Sequence, residues 1–364
     1  MYILIATFIV ALIISWVSIP SIIKVAQEKH LFDEPNERKT HLAKVPTLGG
    51  IAIFAGTIIA FSLFLEEEQG VRWGVVFSAM VILFFTGVKD DLVPLSPYKK
   101  MLAQVLAAVL AVVGGGIHLS SFYGLLGIYE LPVVLGFTLS VFTLIVIINA
   151  FNLLDGINGL SGGIATIAAL VFGFWFYQHS YTNMAVLGFA TAGALIGFLR
   201  HNLLSGRIFM GDTGSLMVGF ICAIMAIRFI ELNKYSTFFE GGKAPVFAIT
   251  VLILPLFDTF RVFMVRLLKG RSPFSGDRNH LHHALIDLDL RHAQASVLMY
   301  AVQLLFVVLG WILCHFNPYF ALGLLSGVML LLSQIPFWIK SRRKKKRLLQ
   351  DKSLLIDTQK AKVA

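Results

Sequence analysis

Charge is scarce in this sequence. Asp, Glu, Lys and Arg make up 14% of its 364 residues, against about 25% in soluble domains, which excludes an ordinary water-soluble globule. Cysteine is scarcer still. Cys222 and Cys314 both sit in apolar runs, so no disulfide framework is expected, and neither gets a role beyond that of a small apolar residue. Strand-like alternation is lacking, which excludes a membrane barrel and leaves helices to satisfy the backbone in lipid. Neither a Walker loop nor a dinucleotide fingerprint is present. No internal repeat or soluble linker breaks the chain. The start lacks a basic n-region and an Ala-x-Ala site, so Met1 to Pro20 is expected to stay as a first helix rather than be removed as a signal peptide.

What the chain has is apolar length. Hydrophobic residues make up 57% and the mean hydropathy is +0.81. Runs of about 20 residues recur from end to end, each long enough to cross a bilayer as a helix. The reading is an all-α integral membrane protein of about eleven spans, at 2–23, 47–65, 74–89, 101–117, 132–151, 160–177, 184–199, 215–231, 244–268, 295–315 and 319–339. Residues 1–340 form the polytopic membrane domain and 341–364 a basic tail, expected to be disordered. Lys and Arg concentrate in the odd connections: Lys24, Lys29, Arg38, Lys39 and Lys44; Lys89, Lys99 and Lys100; Arg200 and Arg207; Lys269, Arg271, Arg278 and Arg291. That bias places the odd connections and the C-terminus in the cytoplasm and the N-terminus outside. The formal charge of +10 comes largely from the run between Lys340 and Arg347. Directly after a membrane helix such a run is a topology anchor near anionic lipid, not a nucleic-acid site.

Polar clusters fall in those same odd connections, so residues up to two hundred positions apart can meet at one membrane face. Asp90 and Asp91 end the third span, and adjacent carboxylates suit a divalent cation or a proton acceptor. Lys100 and Gln104 open the next helix one turn apart, and a lysine there can neutralise phosphate. Asn152, Asp155 and Asn158 recur every three residues with Gly156 and Gly159, which makes a poor membrane helix and a good ligand loop. Asp212 and Thr213 lead into an apolar helix, where a helix start favours phosphate and the side chains offer oxygen to Mg²⁺; an N-cap role for Asp212 is compatible with that. His280, His282 and His283 could form a zinc set, but no cysteine accompanies them and Arg278 does, so they read as donors to phosphate. Asp258 and Arg261, one turn apart within the ninth span, are either a mutual ion pair or part of the lining of a cytoplasmic cavity. This inventory fits phosphoryl transfer between a soluble pyrophosphate donor and a lipid-borne acceptor. A transporter built on Asp258 and Arg261 is the reading from another class. The polar set at one surface and the lack of repeats argue against it.

In order, Asp90-Asp91 with Lys100-x-x-x-Gln104, Asn152-x-x-Asp155-Gly, Phe209-Met-Gly-Asp212-x-Gly-Ser and His280-x-His282-His283 resemble the polyprenyl-phosphate N-acetylhexosamine-1-phosphate transferases. The first loop, Asp33 to Gly50, and the last, Arg271 to His283, are similar to the WecA/TagO branch rather than to MraY. The resemblance implies transfer of GlcNAc-1-phosphate from UDP-GlcNAc to undecaprenyl phosphate at the cytoplasmic face of a bacterial membrane, giving undecaprenyl-diphospho-GlcNAc and UMP. An MraY-type transferase using UDP-MurNAc-pentapeptide is the alternative within the same chemistry. By the resemblance Mg²⁺, with Mn²⁺ as a substitute, is held chiefly by Asp212. Asp90 and Asp91 stand by metal or lipid phosphate, and Asp155 and Lys100 belong to the catalytic set. Lys44, Thr47, Asn152, Asn158, Asn202 and Phe209 form the nucleotide pocket, with Phe209 on uracil. Arg278, His280, His282 and His283 hold diphosphate or sugar. The family also implies a homodimer. Many members have Asp where this chain has Asn158, which still offers a carbonyl acceptor.

Overall fold

The computed structural model describes residues 1–31, 45–67, 70–236, 238–239, 241–270 and 279–363, with side chains described as far as 343 and at 345. Among these there is no strand. The helices are α1 (Tyr2–Glu28), α2 (Gly49–Leu63), α3 (Trp73–Leu92), α4 (Pro97–Val109, continued by a π turn to Gly114) and α5 (Val133–Leu154). They continue with α6 (Leu160–Gln178), α7 (Thr182–Asn202), α8 (Gly211–Leu232), α9 (Lys243–Val251) and α10 (Ile253–Leu268). The last are the six-residue α11 (Leu281–Ile286), then α12 (His292–Leu313) and α13 (Pro318–Val363).

Each of the eleven apolar stretches is helical. Among the described residues eight helices are long and apolar enough to cross a bilayer unaided, and α9 with α10, bent by 85°, makes a ninth if counted as one span. The two others are α2, only 15 residues long, and α3, whose last turn carries Lys89, Asp90 and Asp91. Helix α13 runs through residue 340 without a break. The tail, expected to be disordered, extends it: Lys, Arg, Leu and Gln are good helix formers, and no Gly or Pro follows Pro336.

Helices α6, α7 and α8 are the most buried. Helix α7 packs between α1 and α6, and α8 between α3 and α5. The start of α8 is pressed from two sides: a Cβ on Gly50 of α2 would lie 2.1 Å from the Gly214 nitrogen, and one on Gly87 of α3 would lie 2.3 Å from the Thr213 Cα. No residue larger than glycine fits at either place, so three helix ends converge where the acidic motifs lie.

The break between α9 and α10 leaves backbone groups unpaired in the core, and an unpaired polar group there is costly. Gln303 of α12 meets them. Its Nε2 donates to the Thr250 and Val251 carbonyls at 3.1 and 3.0 Å, and its Oε1 accepts from the Leu254 nitrogen at 3.5 Å. The bend sends α10 away from α9 with Asp258 and Arg261 on its buried face.

Candidate active site

The site is built on the N-terminus of α8. Gly211 opens that helix with φ +71°, and a Cβ there would lie 2.1 Å from the Thr47 carbonyl oxygen and 2.6 Å from both Asp91 carboxylate oxygens. Asp91 accepts from the backbone nitrogens of Asp212 and Thr213 at 2.7 and 3.0 Å and from the Thr213 hydroxyl at 2.6 Å. It thus satisfies donors that a helix start leaves open. Residues 46–50 run alongside: Phe209 donates to the Pro46 carbonyl, and Gly49 and Gly50 donate to the Phe209 and Met210 carbonyls, at 2.8, 2.9 and 2.9 Å.

Lys100 sits at the centre. Its Nζ lies 2.7 Å from Asp212 Oδ1, 3.1 Å from Asp90 Oδ2 and 3.3 Å from Asn152 Oδ1. Asn152 Nδ2 donates to Asp212 Oδ1 and to Ser215 Oγ. Asp90 Oδ1 accepts from the Leu95 nitrogen at 2.5 Å, which ties the turn between α3 and α4 to the cluster. One turn further along, Gln104 and Asn149 join α4 to α5 through paired amides at 2.7 and 3.4 Å. Four side chains from α3, α4, α5 and α8 therefore share one hydrogen-bonded knot.

Asp155 follows α5 beside this knot. Burial, then the Asp212 carboxylate, then the Asp91 carboxylate push its carboxyl up to about 8. The loop it opens is held from α12: the Asn158 nitrogen meets His292 Nδ1 at 3.4 Å, Ser296 donates to the Asn158 carbonyl at 2.7 Å, and Tyr300 donates to the Gly159 carbonyl. On the other side Asn202 accepts from the Gly159 nitrogen at 2.5 Å and donates to the Ile208 carbonyl at 2.7 Å.

The histidine segment is anchored by α10. Asp258 Oδ2 lies 2.8 Å from His280 Nδ1, and its Oδ1 accepts from the Leu281 nitrogen at 3.1 Å. Arg261 binds the same Oδ1 at 3.1 Å and donates to the Asn279 carbonyl. A carboxylate on Nδ1 fixes the ring and leaves Nε2 as the nitrogen a ligand can meet. His282 is buried against Gly156, where a Cβ would lie 2.2 Å from its Nε2, so the segment abuts the Asp155 loop. Burial, then His283, drive His282 down to about 3.

A family model described as Glycosyl transferase family 4 matches residues 73–230, the stretch that carries Asp90, Lys100, Asn152, Asp155 and Asp212. The undecaprenyl-phosphate alpha-N-acetylglucosaminyl 1-phosphate transferase of Yersinia pestis is 32% identical over 292 residues, 79% of this chain and 78% of the relative. Proteins of the same name from Escherichia coli K12 and Salmonella typhi are 30% and 33% identical, over 87% and 76% of this chain and 84% and 74% of theirs.

The chain belongs to glycosyl transferase family 4. In this family 4 chain the expected residues divide by what they touch. Asp90, Lys100, Asn152 and Asp212 are joined directly, Asp91 and Thr47 border Gly211, and Asp155 faces the same carboxylates. Phe209 is half-buried, with its backbone paired to Pro46 and Gly49. Asn158 lies beside Gly206 and His283 lies 4.2 Å from the His282 ring. Two of the expected residues are enclosed. Asn202, placed at the nucleotide, is buried with both ends of its amide on backbone, so it shapes the loop. His282, expected among the donors to phosphate, is buried against Gly156, and its Nδ1 has no hydrogen-bond partner among the described residues. Lys44 and Arg278 lie outside the described residues. Asp258 and Arg261 hold the histidine segment. Sequence reasoning missed His292, Ser296, Tyr300 and Gln303. Their spacing of four, four and three on an apolar helix is the signal that one face of α12 meets protein.

No group of three or more His, Cys, Asp or Glu among the described residues forms a metal cage. The donors nevertheless fit a hard cation held by few protein oxygens, as Mg²⁺ commonly is. Asp90 and Asp212 both lie within 3.1 Å of Lys100 Nζ, with Asp91 beside Gly211, so several carboxylate oxygens gather at one helix start.

Proposed function

We propose that this chain transfers GlcNAc-1-phosphate from UDP-GlcNAc to undecaprenyl phosphate and releases UMP. The observation that carries the reading is the Asp90–Lys100–Asp212–Asn152 knot at the start of α8. It joins a lysine, two carboxylates and a helix N-terminus, the combination that brings two phosphates together. The family 4 relatives, named for this transfer, support the same acceptor and donor.

An oxygen of the lipid phosphate attacks the β-phosphorus of the donor. The bond from that phosphorus to the oxygen bridging the two phosphates breaks, and UMP leaves with the electron pair. Two anions must approach, so Lys100 and the N-terminus of α8 offset their repulsion. Asp212 and Asp90 would hold Mg²⁺, which when bound supplies further neutralisation of the diphosphate. Near pH 7 the acceptor phosphate is already largely ionised, its second pKa being about 6, so no strong base is required. His280, aligned by Asp258, donates to the diphosphate or sugar. The knot faces the cytoplasm of a bacterial inner membrane, as the basic odd connections support.

The test is UMP release by detergent-purified protein with undecaprenyl phosphate and Mg²⁺, given UDP-GlcNAc or UDP-MurNAc-pentapeptide in parallel. UMP from UDP-GlcNAc alone, lost on adding EDTA, is the expected result. UMP from the pentapeptide alone would move the chain to the MraY-type reaction.

A further inference from the structure

The basic end of α13 does more than mark the cytoplasmic side. Lys340 Nζ lies 2.6 Å from Asp287 Oδ2, and Arg343 Nη1 lies 3.2 Å from both the Leu288 carbonyl and Asp289 Oδ2. Asp287, Leu288 and Asp289 follow α11 directly, and Asp289 holds a left-handed φ of +69°. At the other end of the segment the Arg261 guanidinium, which binds the Asn279 carbonyl, stacks 4.6 Å from the Phe337 ring of α13. Helix α13 therefore grips the histidine segment at both ends.

The segment needs such a grip. Helix α11 has six residues, and so short a helix does not persist on its own. Packing holds it incompletely. A cavity of about 340 Å³ lies between Leu281, Leu285 and Leu288 on one side and Met329, Pro336 and Ile339 of α13 on the other. The packing of α11 against the Asp155 loop is completed by ties to Asp258 at the start and to Lys340 and Arg343 at the end.

We infer that Lys340 and Arg343 are positioning residues that hold His280 and His283 in place for the donor diphosphate. The inference rests on the function proposed above. The two ion pairs are partly exposed, so each is weak alone, and their effect is on placement of the segment rather than on the fold.

The test compares wild type, the double variant Lys340→Gln with Arg343→Gln, and the reversed pair Asp287→Lys with Lys340→Asp. The double variant should raise KM for UDP-GlcNAc by about threefold or more and speed amide hydrogen exchange over residues 281–290. KM for undecaprenyl phosphate should not move. The reversed pair should return both readouts toward wild type. Unchanged exchange and unchanged KM in an active double variant would overturn the inference. So would equal losses in every kinetic parameter that the reversed pair does not rescue. If wild type released no UMP, the proposed function would fall, and exchange over 281–290 would still decide whether α13 holds the segment.

Discussion

Asp212 carries more of the account than any other residue. It receives Lys100 and Asn152 on one oxygen and opens the helix against which the phosphates would lie. Asp212→Ala should reduce UMP release by at least about a thousandfold, the scale of losing a main electrostatic contact to the transferring group. Circular dichroism should still report a folded protein. Asn158→Asp should keep activity, because the hydrogen bonds that place Asn158 run through its backbone to His292 and Ser296 and Asp keeps the side-chain carbonyl acceptor; a dead Asn158→Asp enzyme would show that the amide NH₂ is needed. His282 gives a pH signature. Its folded pKa, about 3, lies below the unfolded value of about 6.5. The unfolded chain therefore binds a proton between those values and the folded chain does not, so stability is complete above about 6.5 and falls by about 1.4 kcal/mol per pH unit below it. Thermal melts in detergent between pH 7 and 5 should show that slope, and His282→Phe should remove it. The sequence marked Asp90, Lys100, Asn152 and Asp212 as chemistry because charge and amide groups between apolar runs are rare. Asn202 carries the same rarity while holding backbone on both sides, and composition does not separate the two uses.

At the scale of elements, the break between α9 and α10 is the least legible feature. Residues 244–268 read as one span, although Pro255, which has no N–H to give the Val251 carbonyl, is a local signal of the 85° bend. What the span alone does not show is its support in α12, where Gln303 takes up the backbone groups that the bend exposes. Gln303→Leu should destabilise the protein by about 1–3 kcal/mol, the cost of leaving a buried polar group unpaired. A melting temperature unchanged by that substitution would mean the bend needs no such support. Helix α11 was hidden for the opposite reason. Six residues are too few to show a period, and the histidines within it read as a loop.

For the molecule as a whole, helical membrane architecture was legible throughout, because apolar length is a property of composition. The number of crossings rests on α2, which is short, and on α3, which ends in charge. Orientation is a separate claim, carried by Lys and Arg between the spans. A reporter fused after Ala364 should be active in the cytoplasm, and activity on the opposite side would invert the proposed placement of the site. The convergence of α3, α4, α5 and α8 on one knot suits phosphoryl transfer rather than sugar transfer. The two differ in the bond that breaks. With UDP-GlcNAc and undecaprenyl phosphate, attack at the β-phosphorus releases UMP and leaves a diphosphate on the lipid, whereas attack at the sugar carbon releases UDP. Chromatography of the nucleotide product decides it. UMP in amounts equal to the glycolipid formed is the predicted result, and UDP in its place would contradict the account.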